Sequence, residues 1–124
     1  MTDLSGLTAL VVEDQYLIAL DLESHLRAIG FGDVLLAGNG AEAMDAAAAS
    51  QVAVALLDMG LEEQDESLHL AEWFAQQGLR FIVVTGYGDE FAQGHPFYGR
   101  PVVRKPYNIH ELTRAVAQVL EGAN

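Results

Sequence analysis

Residues 52–58 read Val52-Ala53-Val54-Ala55-Leu56-Leu57-Asp58, six apolar side chains running without interruption into one carboxylate. A run this short, rich in branched residues and free of polar alternation, is the mark of a strand covered on both faces, as in parallel sheets. Burying an ionised carboxylate without compensation is costly, so Asp58 belongs where the strand emerges. In open parallel sheets the rim at the carboxyl ends of the strands is where ligands bind. A single aspartate also commonly ends a strand or opens a turn, so the choice rests on what else reaches that rim.

Working outward, Leu7-Thr8-Ala9-Leu10-Val11-Val12 is a second buried run, and it too ends on carboxylates, Glu13 and Asp14. From Gln15 the period changes: Ile18, Leu22, Leu26 and Ile29 recur at helical spacing until Gly30 closes the helix. A short strand over 33–38 follows, then an alanine-rich helix over 40–50 with Asn39 and Glu42 as its capping pair. Beyond Asp58 a loop leads to a helix over about 67–77 carrying Leu70, Trp73 and Phe74. Residues 79–85 form a fourth strand ending on Thr85. Residues 101–105 form a short fifth one, opened by Pro101 as an edge strand tolerates. Asn108 and Glu111 cap a last helix bearing Leu112, Val116, Val119 and Leu120. Strands alternating with helices in this way imply parallel strands joined by right-handed crossovers. The expected fold is α/β, a doubly wound five-stranded parallel sheet of strand order 2-1-3-4-5, flavodoxin-like, with residues 1–124 forming one domain and no output domain attached.

The crossover between the fourth and fifth strands is the irregular one. Residues 86–100 contain four glycines and Pro96, each glycine costing up to about 1 kcal/mol in a helix interior. At most about two helical turns are expected there, over 89–93, with the rest mobile. Phe91, Phe97 and Tyr98 then either tack the segment to the core or await a partner.

Composition narrows the function. The 124 residues are 51% hydrophobic and 19% charged, the balance of a globular domain. No apolar run approaches a membrane span, and the first residues lack a basic signal-peptide start. Without cysteine there is no disulfide and no thiolate metal site. A cytoplasmic protein is expected, with no membrane partner. Six basic residues against 18 acidic ones give a net charge of −12, which repels a phosphate backbone and argues against nucleic acid as a partner. Lys105 is the only lysine.

In the expected topology the strands deliver Glu13 and Asp14, Asp58, Thr85 and Lys105 to one edge. Taken singly each has an ordinary explanation: acidic residues at a helix start, a strand threonine, a solvated lysine. Together, three carboxylates repel one another unless a divalent cation sits among them, and an all-oxygen set suits Mg²⁺. A hydroxyl and an ammonium facing that metal make a trap for a phosphoryl group, with Asp58 as the nucleophile.

Over nearly its full length the sequence resembles a response-regulator receiver domain of two-component signalling. The matching stretches are Val11-Val12-Glu13-Asp14, Leu56-Leu57-Asp58, Val84-Thr85-Gly86 and Arg104-Lys105-Pro106, with the Gly30-Phe31 helix ending. The resemblance implies that Asp58 accepts phosphate from a histidine kinase or histidine phosphotransfer protein. It further implies that Glu13, Asp14, Asp58 and the Gly60 carbonyl hold Mg²⁺, that Thr85 and Lys105 contact the phosphoryl oxygens, and that Lys105-Pro106 is a cis peptide. Residues 81–87 and 100–106 are similar to the FATGUY subclass. Most receivers carry an aromatic residue three positions before the lysine, where this chain has Val102, too short and stiff to swing. Tyr87 is the expected replacement switch.

The function this predicts is a stand-alone phospho-acceptor that signals through an unknown downstream protein and catalyses only its own phosphorylation and dephosphorylation. A phosphate-independent interaction module of the same fold is one alternative, although the full set Asp58, Thr85 and Lys105 argues against it. An aspartyl-phosphate hydrolase would want a second acid two residues after the nucleophile, where Gly60 stands. A flavin-binding domain would want a Ser/Thr/Gly-rich first loop in place of Glu13-Asp14-Gln15. The acidic run Glu62–Glu66 reads as a solvated loop or as a tuner of cation attraction.

Overall fold

The computed structural model describes residues 3–59, 64–86 and 96–121. Its described elements are β1 (Thr8–Val12), α1 (Tyr16–Ile29), β2 (Asp33–Ala37), α2 (Gly40–Ala49), β3 (Val54–Asp58), α3 (Gln64–Gln76), β4 (Phe81–Thr85), β5 (Val102–Arg104) and α4 (Ile109–Glu121). The strands form one sheet in the order β2-β1-β3-β4-β5, and every pairing is parallel. This is the flavodoxin-like, receiver-type architecture with β3 at its centre. All five residues of β3 and of β4 are buried, the physical counterpart of their unbroken apolar runs.

Because side chains alternate along a strand, each run feeds two cores. Val54 and Leu56 of β3 join Val11, Ile82 and Val84 against Leu22 and Leu26 of α1 and Leu112 and Val116 of α4. Ala55 and Leu57 join Leu10, Phe81 and Val83 against Leu70 and Phe74 of α3. Chain reversals follow the local chemistry. At the end of α1 the Gly30 N–H reaches the Arg27 carbonyl at 3.1 Å and the Phe31 N–H reaches that of Leu26 at 3.2 Å. Gly30 takes φ 130° there, a backbone open to glycine, and Phe31 is then buried with Leu26. Asn39 and Asn108 each accept a hydrogen bond, at 2.9 Å, from the backbone N–H three residues on. The capping pair at α2 is not fully reciprocal: the Glu42 carboxylate takes the Gly38 N–H at 2.7 Å rather than that of Asn39.

Two expectations need correction. β3 and β4 begin at Val54 and Phe81, two residues later than the apolar runs, because hydrophobicity marks burial rather than the start of a ladder. α3 starts at Gln64, before the expected 67, so the end of the acidic run is helix and not loop. Glu66 in particular is partnered, accepting the Gly40 N–H at 2.8 Å. Of the two fates open to the aromatics of the crossover into β5, Phe97 takes the first, 1% exposed and edge-on to Phe81 at 6.5 Å, while Tyr98 stays exposed. Arg100 lies over the Phe81 ring at 4.3 Å and covers the same contact. The expected short helix over 89–93, like Gly60 and Tyr87, lies outside the described residues.

Candidate functional site

The sheet register assembles the site. Val12 pairs with Leu57, which sets Glu13 level with Asp58 on neighbouring strands. Asp58 pairs with Val84, and Thr85 with Arg104, so Lys105 follows directly beyond Thr85. Backbone bonds extend each strand end by one step: Glu13 N–H to the Ala37 carbonyl at 3.0 Å, Met59 N–H to Val84 at 2.9 Å, and Lys105 N–H to Thr85 at 2.8 Å. The Lys105-Pro106 peptide is cis. Glu13, Asp58 and Thr85 are buried, whereas Asp14 is exposed.

Lys105 Nζ stands 3.4 Å from Glu13 Oε1 and 3.4 Å from Asp58 Oδ1, a bridge between two nearly inaccessible carboxylates. One oxygen each of Glu13, Asp14 and Asp58 can be chosen so that all lie within 4.8 Å of one another. Glu13 Oε2 also accepts the Gln15 N–H at 3.2 Å, just before α1, where the Gln15 side chain makes no capping bond. Burial first, and the neighbouring Asp58 carboxylate second, push the Glu13 pKa up from 4.5 to about 7, against the lowering effect of the Gln15 N–H. Three carboxylates share one ammonium, so once Glu13 is ionised the cluster carries more negative charge than Lys105 neutralises.

That excess, with three hard oxygen donors and no nitrogen or sulfur ligand, fits Mg²⁺. A hydrated Mg²⁺ needs only one or two direct carboxylates, and the half-open side formed by exposed Asp14 leaves room for its waters. The geometry brings together Glu13, Asp14, Asp58 and Lys105, and puts Thr85 at the adjoining strand end. A cleft of about 530 Å³ opens between the carboxyl-terminal ends of α2 and α3, lined by Ala47, Val52, Trp73 and Arg80 among others, and contains none of these residues.

Two supports escaped the sequence reading. Ser67 Oγ donates to the main-chain carbonyl of Asp58 at 2.9 Å. Its signal was a polar residue at a core-facing position, in phase with Leu70, Ala71 and Phe74. Tyr107, two residues beyond Lys105, donates its hydroxyl to Asp21 Oδ2 at 3.2 Å and stands edge-on to His25. Burial, then the Asp21 carboxylate, raises the Tyr107 pKa far above that of a free phenol. Nothing in the spacing of residues 21 and 107 announces that pair.

Comparison with known proteins adds the fold's relatives. No family model matches the chain, and no curated protein matches it. Among solved structures it is similar to the response regulator protein TrrA of Thermotoga maritima in complex with Mg²⁺ and BeF, at 23% identity and a TM-score of 0.80, over 93% of this chain and 100% of that one. A sensor protein of Polaromonas sp. JS666 aligns at 21% identity and a TM-score of 0.81, over 93% of this chain and 96% of that one. A response regulator receiver protein of Burkholderia phymatum aligns at 21% identity and 0.77, over 95% and 98%. At these identities the likeness is one of fold, and the fold is that of response-regulator receiver domains.

Proposed function

We propose that this chain is a Mg²⁺-dependent phospho-acceptor of two-component signalling, with Asp58 taking the phosphoryl group from a histidine kinase or histidine phosphotransfer protein. The observation that carries the reading is the Lys105 ammonium 3.4 Å from Asp58 Oδ1, at the end of a central strand and beside an acidic trio. It is supported by the receiver fold and by a similar protein in complex with Mg²⁺ and BeF.

In the reaction, an Asp58 carboxylate oxygen attacks phosphorus. The bond from phosphorus to the donor's imidazole nitrogen breaks, and that nitrogen keeps the electron pair and regains a proton. Glu13 and Asp14 would hold Mg²⁺ with Asp58, and the ion's contribution is to neutralise charge on the transferred oxygens. Lys105 offers its ammonium to the phosphoryl oxygens, exchanging one anionic partner for another, and Thr85 offers a hydroxyl. The chain thus turns over its own acyl phosphate rather than a metabolite. Phosphate on Asp58 draws Lys105 and Thr85 toward it, favouring one arrangement of the β4–β5 face, which a partner protein reads.

Within the family we place the chain nearest the FATGUY subclass. Half-buried Val102 occupies the position where most receivers carry an aromatic switch, and Tyr87 takes over that role. Tyr87→Ala should then uncouple partner binding from phosphorylation; binding still fully phosphorylation-dependent in that variant would exclude it. The central test is incubation with Mg²⁺ and acetyl phosphate. The expected result is the mass gain of one phosphoryl group, abolished by chelator and by Asp58→Asn. A gain that survives Asp58→Asn, or no gain in the wild type, overturns the reading.

A further inference from the structure

Four polar or charged side chains among the described residues are buried: Glu13, Asp58, Thr85 and Ser67. Three of them are the candidate site. The fourth, 1% exposed in the first turns of α3, spends its hydroxyl on the backbone of Asp58 itself, at 2.9 Å. We infer that Ser67 is a positioning residue for the phospho-acceptor, an inference that rests on the phospho-acceptor reading of Asp58.

The argument turns on one peptide unit. The Asp58 carbonyl and the Met59 N–H belong to the same plane, immediately after the acceptor's Cα. Its N–H is held by the Val84 carbonyl at 2.9 Å, on β4. Its carbonyl is held by Ser67 Oγ, on α3. The plane is therefore fixed from a strand on one side and a helix on the other, so its rotation, and with it the direction of the Asp58 Cα–Cβ bond, is restricted. The helix turn that supplies the hydroxyl is itself braced. Glu66, the preceding residue, accepts the Gly40 N–H at 2.8 Å from the start of α2. A Cβ at Gly40 would stand only 3.1 Å from Glu66 Oε2 and 3.3 Å from its Cγ, so a side chain there would press on the carboxylate that makes this bond.

A helix hydroxyl often bonds back to a carbonyl of its own helix, as half-buried Thr113 does to Ile109 at 2.7 Å in α4. Ser67, in the first turn of α3, bonds instead to a carbonyl outside its helix, nine residues earlier in the chain. In-line transfer is sensitive to placement: a shift of about 1 Å in a reacting group costs up to about 100-fold in rate. Loosening one of two tethers, without removing the other, should cost roughly a tenth of that, about tenfold.

The test compares wild type, Ser67→Ala and Ser67→Thr. The first variant deletes one oxygen from a helix that favours alanine; the second keeps the hydroxyl. Phosphorylation by acetyl phosphate is followed at saturating Mg²⁺, and hydrogen exchange of the Met59 amide is measured in the same proteins without donor. The expected result for Ser67→Ala is a maximal rate about tenfold lower, with the half-saturating donor concentration within about twofold of wild type. Met59 should exchange faster while the amides of β1 and α1 are unchanged, and Ser67→Thr should recover both. A wild-type maximal rate in Ser67→Ala overturns the inference even if Met59 loosens, because the bond would then be merely structural. A slower rate that Ser67→Thr does not recover, or that comes with faster exchange throughout the core, overturns it as well. Wild-type protein that takes no phosphoryl group overturns the phospho-acceptor reading, and this one with it; labelled wild type matched by labelled Ser67→Ala removes only the role of Ser67.

Discussion

Replacing Lys105 by methionine should make the metal-free protein less stable and bind Mg²⁺ more tightly. The substitution keeps the length of the side chain and removes its charge. At an effective dielectric constant of about 20, unit charges 3.4 Å apart attract by about 5 kcal/mol, and Lys105 makes that contact with both Glu13 and Asp58. Neither attraction counts in full. Glu13, with its pKa pushed up to about 7, is only about half ionised at neutral pH and takes up its proton once the ammonium is gone. The ammonium also recovers its hydration. A net loss of about 2–3 kcal/mol remains, at the low end of what breaking a buried pair costs, or roughly 10 °C in melting temperature for a chain of this size. The metal effect has the opposite sign. An ion bound about 2 Å from the carboxylate oxygens lies no farther than about 5.5 Å from an ammonium that is 3.4 Å from the same oxygens. Even at the dielectric constant of water, about 80, that repulsion is about 1.5 kcal/mol, so at a pH high enough to ionise Glu13 in both proteins its removal tightens Mg²⁺ binding about tenfold. Thermal denaturation in chelator and calorimetric Mg²⁺ titration read the two effects separately. A variant that melts with wild type in chelator, or that binds Mg²⁺ no more tightly, refutes the account of Lys105 as the internal counter-ion that metal must compete with.

The Glu13 carboxyl gives a pH dependence. Its folded pKa of about 7 exceeds the unfolded value of 4.5, so the folded state holds that proton more tightly. The stability this adds is complete below about pH 4.5 and is lost as pH rises through 7 in metal-free protein. Mg²⁺ binding expels the same proton, so affinity should rise by up to about tenfold per pH unit below pH 7 and level off above it; a flat calorimetric profile across that range would contradict the burial-driven shift. Phe97→Ala empties a fully buried site against Phe81 and should cost about 3–5 kcal/mol in urea denaturation; a loss under about 1 kcal/mol would mean that Phe97 does not anchor the return into β5. Asn39→Ala removes the side-chain cap of α2 and should cost about 1 kcal/mol by the same measurement, while Asn39→Asp should restore most of it.

Much of this arrangement was legible in the chain because the information is local. Two apolar runs ending on acids, at Glu13 and Asp58, fix strand character, strand direction and the rim at once. The side-chain caps at Asn39 and Asn108 and the reversal at Gly30-Phe31 depend on residues a few positions apart, and they formed where the sequence implied, although Glu42 returns its carboxylate to Gly38 rather than Asn39. The lone lysine could be placed because a parallel sheet of this order leaves one edge for Lys105 to reach. What escaped depends on distance across the sequence. The Asp21–Tyr107 bond joins residues 86 positions apart and Glu66–Gly40 joins residues 26 apart, and no periodicity encodes either. The start of α3 at Gln64 departs from the expected 67 for a related reason: an acidic run reads as solvated until one of its members, Glu66, finds a buried N–H to accept.

The two acids after β1 show most clearly what a linear pattern leaves out. Glu13 and Asp14 are adjacent and chemically alike, and the sequence offers them as equivalent metal ligands. The register separates them, because one residue beyond Val12 is still level with Asp58 between neighbouring strands, while the next is already outside the sheet. Glu13 is therefore 2% exposed, with its proton affinity raised by burial and its oxygens divided between Lys105 and the start of α1. Asp14 is exposed, and among the described residues no partner other than the acidic cluster itself fixes its position. In the proposed metal site Asp14 would reach Mg²⁺ at little cost, whereas Glu13 would have to give up a proton and loosen its hold on Lys105. On that reading the pair is unequal: exposed Asp14 would be the easier ligand, and Glu13 would set the pH dependence of binding.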